Sequence, residues 1–284
     1  MLPYLLILIS CPISSIQGIC QKKYAVAAKN YNPNLFAAIL SFVAMLFFIL
    51  RSGFKFDFSA EILPYSVVFA VTYATATSGT IYAVTYGALS MTSLIISYSV
   101  LVPAIFGIAF LNERPHKTAY VGIILVCISL YLVSGKDEKQ PLSLKWLIAV
   151  IAAFWGNGIC SAAQKYEQAV FNGGYKNEFM IAALFIASVL LFAVSRTGAK
   201  HRLRDELRDC GFFPLASGIA NGINNLLVMI MAGIFPATRL YPTLTAYGMT
   251  LTYIISRFMF NEKLTKKQTA GYITGAVSII FLNI

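Results

Sequence analysis

Three asparagines in one apolar stretch are the most prominent polar side chains of this chain. Asn221, Asn224 and Asn225 follow the spacing i, i+3 and i+4, which places all three on one face of a helix. Each amide can donate and accept several hydrogen bonds. An amide is costly to bury in lipid unless it faces protein or water. We therefore expect this face to line a cavity that binds a polar solute.

A second polar stripe lies in an earlier apolar stretch. Tyr73, Thr77 and Thr80 are spaced i, i+4 and i+7, again on one helical face. We expect Tyr73 and Thr77 to lie opposite the asparagines and to bind the same solute. The alternative for the threonines is structural, because Thr in membrane helices often bonds the carbonyl one turn back.

Two further pairs of residues are candidates for the same cavity. Tyr98 and Tyr247 are 149 residues apart; such rings suit the wall of a pocket for organic solutes, but they also occur in ordinary packing between helices. Lys22 and Lys165 each follow a glutamine near the end of an apolar stretch. These lysines either extend to the lipid headgroups or bind anions in the cavity, and the sequence leaves both alternatives open.

The acidic residues limit the chemistry further. Glu113 and Glu262 stand where apolar stretches begin, and a carboxylate there favours the positive end of a helix, so we interpret both as caps. No Asp or Glu lies near the middle of a predicted span, so a cation would find no partner there, and we expect a neutral, zwitterionic or anionic substrate. An integral membrane enzyme would need a nucleophile, a metal cluster or paired acids at one interface, and the sequence shows no His/Asp/Glu constellation of that kind. We therefore expect no enzyme, metal or cofactor.

These side chains must be positioned by helices that cross a membrane. Hydrophobic residues make up 58% of the chain and charged residues 12%, against about 45–50% and about 25% in soluble domains. The apolar runs are continuous, as in helices, and a span needs about 20 residues. The sequence predicts an all-α, multi-pass integral membrane protein; the resemblance named at the end of this subsection implies that the membrane is the cytoplasmic (plasma) membrane. The ten predicted spans are 3–22, 34–50, 62–86, 92–111, 118–134, 146–165, 179–195, 212–234, 238–260 and 267–283.

The chain repeats itself. Asn112-Glu113-Arg114 joins two apolar runs, and Asn261-Glu262-Lys263 does the same 149 residues later, with Gly122 falling on Gly271. Five spans in each half would insert the second half upside down relative to the first, as inverted-topology repeats. The predicted units are a first five-helix repeat over 1–135, a charged linker over 136–145 and a second five-helix repeat over 146–284.

The formal net charge of +11 lies in the loops. The basic cluster between Arg196 and Arg208 resembles a short amphipathic helix on the membrane surface. We interpret it as a contact with anionic membrane lipids and as a topology signal, and we expect no nucleic-acid partner. Whether the protein is a monomer or a homodimer stays open.

The order of these motifs resembles one family. Tyr86-Gly87-Ala88-Leu89-Ser90, a span with Pro103 and then Leu111-Asn112-Glu113-Arg114-Pro115 resemble the drug/metabolite transporter superfamily, and most closely its EamA-type ten-helix transporters. Phe154-Trp155-Gly156 looks like the aromatic-glycine element of that family, whereas Cys11-Pro12-Ile13 departs from it in the first half. The resemblance implies a secondary transporter of a small metabolite, with alternating access through a central cavity. The alternative is a lipid or lipid-linked sugar flippase.

Overall fold

The computed structural model describes residues 2–27, 32–86, 92, 95–133, 143–196, 211–259 and 265–284, and these residues contain helices and no strand. We number the helices in chain order. The α-helices are α1 (Leu2–Ala27), α2 (Pro33–Arg51), α3 (Leu63–Tyr86), α4 (Leu101–Phe110), α5 (Lys117–Val133), α6 (Leu144–Val170), α7 (Lys176–Arg196), α8 (Phe212–Ile234), α9 (Ala237–Met259) and α10 (Lys266–Asn283). Short 3-10 turns at Ala60–Ile62 and Tyr98–Val100 precede α3 and α4.

Local sequence signals explain where several helices begin. Asn32 caps α2 by accepting a hydrogen bond from the Leu35 backbone, and Pro33 follows at the first helical position. Ser143 caps α6 in the same way, through the Trp146 backbone. Thr265 begins α10, where it forms a reciprocal capping box with Gln268. These caps satisfy backbone N–H groups that the helices themselves leave unpaired.

Within the described ranges, four helices are long and apolar enough, by length and composition, to cross a membrane. They are Asn34–Arg51 with a mean hydropathy of 2.1, Leu144–Val170 with 1.6, Lys176–Arg196 with 2.3 and Phe212–Ile234 with 1.5. Further apolar helices in the described ranges are shorter. The described residues thus form an all-helical fold with several helices of the length and composition that a membrane span requires. The full number of spans stays a prediction.

The end of α6 corrects a predicted boundary. We expected the sixth span to end at Lys165, because the apolar run stops there, but α6 continues to Val170. The extra turn is polar and buried, with Glu167 and Gln168 inside the protein. It stays helical because α3, α4 and α8 pack against α6, a tertiary effect that hydropathy along the chain does not report. The helix ends at Phe171, before Asn172 adopts a left-handed φ of 49°.

Most of the extensive contacts between helices are reciprocal, whereas others, such as α9–α10, have no comparably extensive counterpart. In this comparison each helix corresponds to the helix five positions away, so that α1 corresponds to α6 and α2 to α7. The α3–α6 contact then corresponds to α8–α1, the α2–α8 contact to α7–α3, and the α1–α9 contact to α6–α4. The pairs α2–α7, α4–α9 and α5–α10 are each mapped onto themselves. A fold made of two similar halves around a two-fold axis has such a pattern.

The α5–α10 contact shows the same reciprocity residue by residue. Gly122 lies against Leu282, where a Cβ at 122 would be 2.6 Å from the Leu282 Cγ. Gly271 lies against Val133, with a corresponding distance of 2.7 Å to its Cγ2. Both glycines and both partners are separated by the 149-residue offset of the repeat. Each helix therefore offers a small residue and a branched one to its counterpart, which lets the two helices approach closely.

Candidate functional site

A polar cavity lies between helices of both halves of the chain. Its volume is about 250 Å³, and we call it the amide cavity. Its lining residues are Gln17, Phe36, Ala37, Leu40, Tyr73, Ala76, Thr77, Thr80, Ile81, Asn157 and Asn221. None of these described residues carries a charge. The cavity thus offers amide and hydroxyl groups to a bound molecule, with apolar walls from α2 and α3.

Asn221 connects the cavity to a chain of amides. Its Nδ2 donates to Gln17 Oε1 of α1 at 3.3 Å. Asn225, one turn further along α8, donates to the Asn221 carbonyl oxygen at 3.0 Å and to its Oδ1 at 2.9 Å. Gln164 of α6 in turn donates to Asn225 Oδ1 at 2.9 Å. Four amides from three helices therefore form one hydrogen-bonded chain, which holds Asn221 in place at the cavity wall.

The tyrosine and threonines of α3 lie on the opposite wall. The Tyr73 hydroxyl interacts with the side chains of Ser41 and Asn221. Thr77 donates its hydroxyl to the Tyr73 carbonyl at 2.9 Å, and Thr80 donates to the Ala76 carbonyl at 2.7 Å. The bond one turn back is thus present, and both threonines also line the cavity. Their oxygen atoms keep acceptor capacity, because a hydroxyl can accept hydrogen bonds while it donates one.

The other predicted residues lie elsewhere. Asn224 is partly buried and does not line the amide cavity. Tyr98 donates to the Cys127 carbonyl at 2.9 Å and packs in an apolar cluster with Val126 of α5. Tyr247 packs against another apolar cluster, formed mainly by α8 and α9. The position of the Lys22 side chain falls outside what the structure describes.

The Lys165 side chain is bound by protein groups. Its Nζ donates to the carbonyl oxygens of Ala232 and Phe235 at 2.8 and 2.7 Å, at the end of α8. The same nitrogen lies 3.6 Å from Glu113 Oε1, and each side chain of this pair is 11% exposed. A cation at the C-terminal end of a helix is stabilised by the carbonyls it meets there. These partners surround the ammonium group, so we leave Lys165 out of the proposed substrate site.

Glu113 completes this arrangement from the other side. Its carboxylate accepts hydrogen bonds from the backbone of Ala237 at 2.8 Å and of Thr238 at 3.2 Å, where α9 begins. Glu113 is thus a cap, as predicted, but it caps α9 rather than its own following helix. We call the Glu113–Lys165 pair and the backbone groups it binds the charge clamp. It satisfies both helix ends at the break between α8 and α9. Glu262 lies outside the described residues.

The Asn-Glu junction has a local explanation. Asn112 adopts a φ of 53°, a left-handed conformation that asparagine tolerates better than most residues. This turn lets the Glu113 backbone N–H bond to the Gly107 carbonyl at 3.1 Å. A Cβ at position 107 would be 2.5 Å from Glu113 Oε2, so only glycine leaves room for the carboxylate. The motif therefore aims the Glu113 side chain at α9.

Sequence reasoning missed three amides that belong to the site. Gln17 and Asn157 line the cavity, and Gln164 holds Asn225. All three lie within or beside predicted apolar spans, so the cost of burying an amide in lipid would have found them. They were missed because they stand singly and form no stripe with other amides.

Two larger concavities are apolar grooves. One, of about 600 Å³, runs between α3, α4 and α6 and is lined by Phe106, Trp155 and Tyr166 among others. The second, of about 680 Å³, runs between α3, α6 and α7, with Lys145 at its rim. Their walls include outward-facing side chains such as Ile105, which is 63% exposed. Such surfaces suit lipid chains better than a polar solute.

Comparisons with known proteins relate the first 135 residues to a family and the whole chain to a fold. Residues 1–135 match the sequence model of the EamA-like transporter family, part of the drug/metabolite transporter superfamily. This match confirms the resemblance for the first half of the chain. The family implies a membrane transporter of small substrates, and its members are generally not enzymes.

A protein of known crystal structure shares the fold. It superposes with a TM-score of 0.78 over 98% of this chain and 95% of that chain, at 11% sequence identity. At that identity the likeness establishes the fold alone. No curated protein sequence matches the chain.

Proposed function

We propose that this chain, whose first half matches the EamA-like transporter family, is a secondary transporter of a small metabolite in the cytoplasmic membrane. The substrate binds in the amide cavity, and the two five-helix halves rock around it to expose it to each side in turn. The observation that carries the proposal is the amide cavity itself, which takes its walls from α1, α2 and α3 of the first half and from α6 and α8 of the second.

The lining of the cavity favours particular substrates. Gln17, Asn157 and Asn221 can donate and accept hydrogen bonds, and Tyr73 adds a hydroxyl and a ring face. A cavity of about 250 Å³ lies just below the range of pockets for drug-sized ligands, so it suits a small metabolite rather than a large drug. Because the described walls lack a carboxylate, we expect neutral, zwitterionic or anionic metabolites. Cells that express the protein should export the cation ethidium no faster than empty-vector cells, and protein-dependent export would contradict this charge argument.

The inverted repeat is part of the proposal. The reciprocal contacts of Gly122 with Leu282 and of Gly271 with Val133 support a two-fold axis between α5 and α10. If that axis lies in the membrane plane, Asn112 and Asn261 face opposite sides. Single cysteines at these two positions, in a background with the native cysteines replaced by serine, should react with an impermeant thiol reagent from opposite sides. Labelling of both from one side would contradict the inverted arrangement.

The substrate site is tested by two asparagines of the same helix. The purified protein is first screened against metabolites by thermal shift, because a ligand that binds the folded state raises its apparent stability. Uptake of each stabilising metabolite is then measured in proteoliposomes. Asn221→Leu should abolish both the thermal shift and the uptake, while Asn224→Leu, the matched control away from the cavity, should keep both. Equal activity of the two variants would contradict the proposed site.

The same proteoliposomes separate the flippase alternative. A transporter of soluble metabolites should show saturable uptake and leave labelled lipids in their original leaflet. Protein-dependent movement of labelled lipid, without uptake of any stabilising metabolite, would instead establish the flippase. The apolar grooves would then become the first place to look for the lipid chains.

A further inference from the structure

The last turn of α6 holds a buried carboxylate with an unsatisfied oxygen. Glu167 is fully buried, with 0% exposure. Its Oε2 accepts a hydrogen bond from the Gln168 side chain, whereas its Oε1 has no hydrogen-bond partner. Buried polar atoms are nearly always paired, so an unpaired carboxylate oxygen in the interior needs an explanation.

The charges around Glu167 do not neutralise it. Those that act on it in the described part of the chain are Lys176 and Glu178, both in the first turn of α7. Lys165 of α6 is engaged by Glu113 and by the end of α8. Across the residues described, no basic nitrogen lies within 4 Å of the Glu167 carboxylate, since the Lys165–Glu113 pair is the one ion pair found there. Glu167 is thus buried near one cation and one further carboxylate, and in the described residues no ion pair offsets its charge.

The two acids are not equivalent. Glu178 is also buried, at 9% exposure, but it stands at the N-terminal end of α7, where the helix stabilises a negative charge. Glu167 stands near the C-terminal end of α6, where the helix end is itself negative. When like charges share a site, one of them is driven to its neutral form. The position of each acid on its helix selects Glu167 as the group that takes up a proton.

A polar stripe along α6 leads from Glu167 to the amide cavity. Gln168 bonds Glu167, and Gln164 lies one turn before it on the same face. Gln164 donates to Asn225, which donates to Asn221 at the cavity wall. Glu167 and the cavity wall are thus linked by hydrogen bonds at both ends, and between Gln168 and Gln164 by proximity on one face of α6 rather than by a hydrogen bond.

We propose that Glu167 is a proton-binding site of this protein and the group that couples transport to protons. In its proton-bound form Oε1 carries the hydrogen, the negative charge next to Glu178 disappears, and the turn packs as the structure shows it. Loss of that proton to water leaves a buried charge and favours an opening of the α6–α7 turn. The coupling role rests on the proposed transport function, whereas the proton site itself does not.

The proton site is tested without any substrate. Infrared difference spectra of the purified full-length protein are recorded between about pH 6 and alkaline pH, where carboxyl groups with ordinary pKa values of about 4 are already ionised. They report the carbonyl stretch of a carboxylic acid that stays protonated above that range. The wild-type protein should show such a band that disappears as the pH rises, and Glu167→Gln should lack it. Glu61→Gln removes an exposed acid that has no buried contact and should keep the band. A band that persists in Glu167→Gln, or none in the wild type, would overturn the proposal.

A second variant keeps the test decisive if Glu167→Gln folds poorly. Glu178→Gln removes the like charge, so the Glu167 band should disappear at a lower pH than in the wild type. An unchanged midpoint would contradict the pairing of the two acids. A different result would contradict the proposal. If thermal stability depends on Na⁺ rather than on pH, and Glu167→Gln loses this dependence, then Glu167 binds a metal ion and not a proton.

Coupling is then measured in proteoliposomes with a stabilising metabolite. A proton gradient should drive uptake by the wild-type protein, whereas Glu167→Gln should exchange the metabolite without responding to the gradient. If no metabolite is taken up by the wild type, the transport function fails while the infrared result stands. If uptake occurs and both proteins respond equally to the gradient, the coupling role fails alone.

Discussion

The amide cavity and the charge clamp are both buried polar clusters built by helices of the two halves, yet they differ in what they leave available. In the clamp, the Lys165 ammonium binds two carbonyl oxygens and approaches Glu113, whose carboxylate binds two backbone N–H groups. In the cavity, Asn221 faces open volume and keeps capacity for further hydrogen bonds. A polar group whose partners are all protein groups stabilises the fold, and one that faces a cavity can bind a ligand.

The buried charged pair and the proposed binding surface therefore lie in different places. Fixed charges in a bilayer are usually taken as signs of a substrate pathway. Here the Glu113–Lys165 pair joins the end of α8 to the start of α9 across Phe235 and Pro236, a break where backbone groups would otherwise stay unpaired. The uncharged amides carry the binding surface instead.

The largest effect is expected from breaking the clamp. Lys165→Met leaves Glu113 buried without its cation and removes the donor to two carbonyls, so we expect a loss of about 3–5 kcal/mol in the free energy of unfolding. The measurement is the unfolding transition of the purified protein in detergent. Lys117→Met, at the exposed start of α5, should leave it unchanged. The double variant with Glu113→Gln should be more stable than Lys165→Met alone.

Normal stability of Lys165→Met would contradict the structural role of Lys165. If Lys165→Met unfolds like the wild type but no longer binds a stabilising anionic metabolite, Lys165 acts in the substrate site, and the division between clamp and cavity is wrong.

A smaller loss is expected from cutting the amide chain outside the cavity. Asn225→Leu removes the acceptor of Gln164 and the donor to Asn221, and leaves polar groups unpaired in the interior. We expect a cost of about 1–3 kcal/mol in stability. Uptake should also slow, because Asn221 loses the bond that orients it. Asn225→Leu with normal stability and normal uptake would show that the chain of amides has no role.

Particular residues show how far the sequence could lead. The stripes of Asn221 and of Tyr73 with Thr77 could be predicted because helical periodicity and the cost of buried amides act locally. Periodicity alone could not separate Asn221 from Asn224, because both share a face and only the packing of α1 and α2 decides which of them meets the cavity.

The clamp and the buried acid could not be found in this way. Lys165 binds carbonyls 67 and 70 residues further along the chain, so its role depends on a tertiary contact and on the break before Pro236. Glu167 was placed outside the sixth predicted span, as a carboxylate at its end, because the apolar run stops at Lys165, whereas the helix continues to Val170.

Effects of intermediate size are expected at two tyrosines, of which Tyr73 lines the cavity and Tyr98 packs in an apolar cluster. Tyr98→Phe removes the bond to the Cys127 carbonyl and should cost about 0.5–1.5 kcal/mol in stability without changing uptake. Tyr73→Phe removes the hydroxyl that meets Asn221 and should raise the KM for uptake. Stability and KM are measured for both variants. If the cavity is the substrate site, Tyr98→Phe should change stability without changing KM, and Tyr73→Phe should raise KM. Equal effects of the two variants on KM would contradict it.

The smallest predicted effect concerns Thr77, whose hydroxyl donates to the Tyr73 carbonyl while its oxygen faces the cavity. Thr77→Val keeps the shape of the side chain and removes the hydroxyl acceptor. If the substrate donates a hydrogen bond there, affinity should fall by about 0.5–1.5 kcal/mol, or roughly 2- to 12-fold in Kd.

Thr75→Val is the matched control, because Thr75 makes the same bond one turn back, to Val71, from the exposed face of α3. Both variants lose one such bond, so their melting temperatures should be alike, and only Thr77→Val should weaken the thermal shift given by a stabilising metabolite. Equal affinities would show that the substrate does not reach this part of the wall, and would limit the site to Asn221, Tyr73 and the amides beside them.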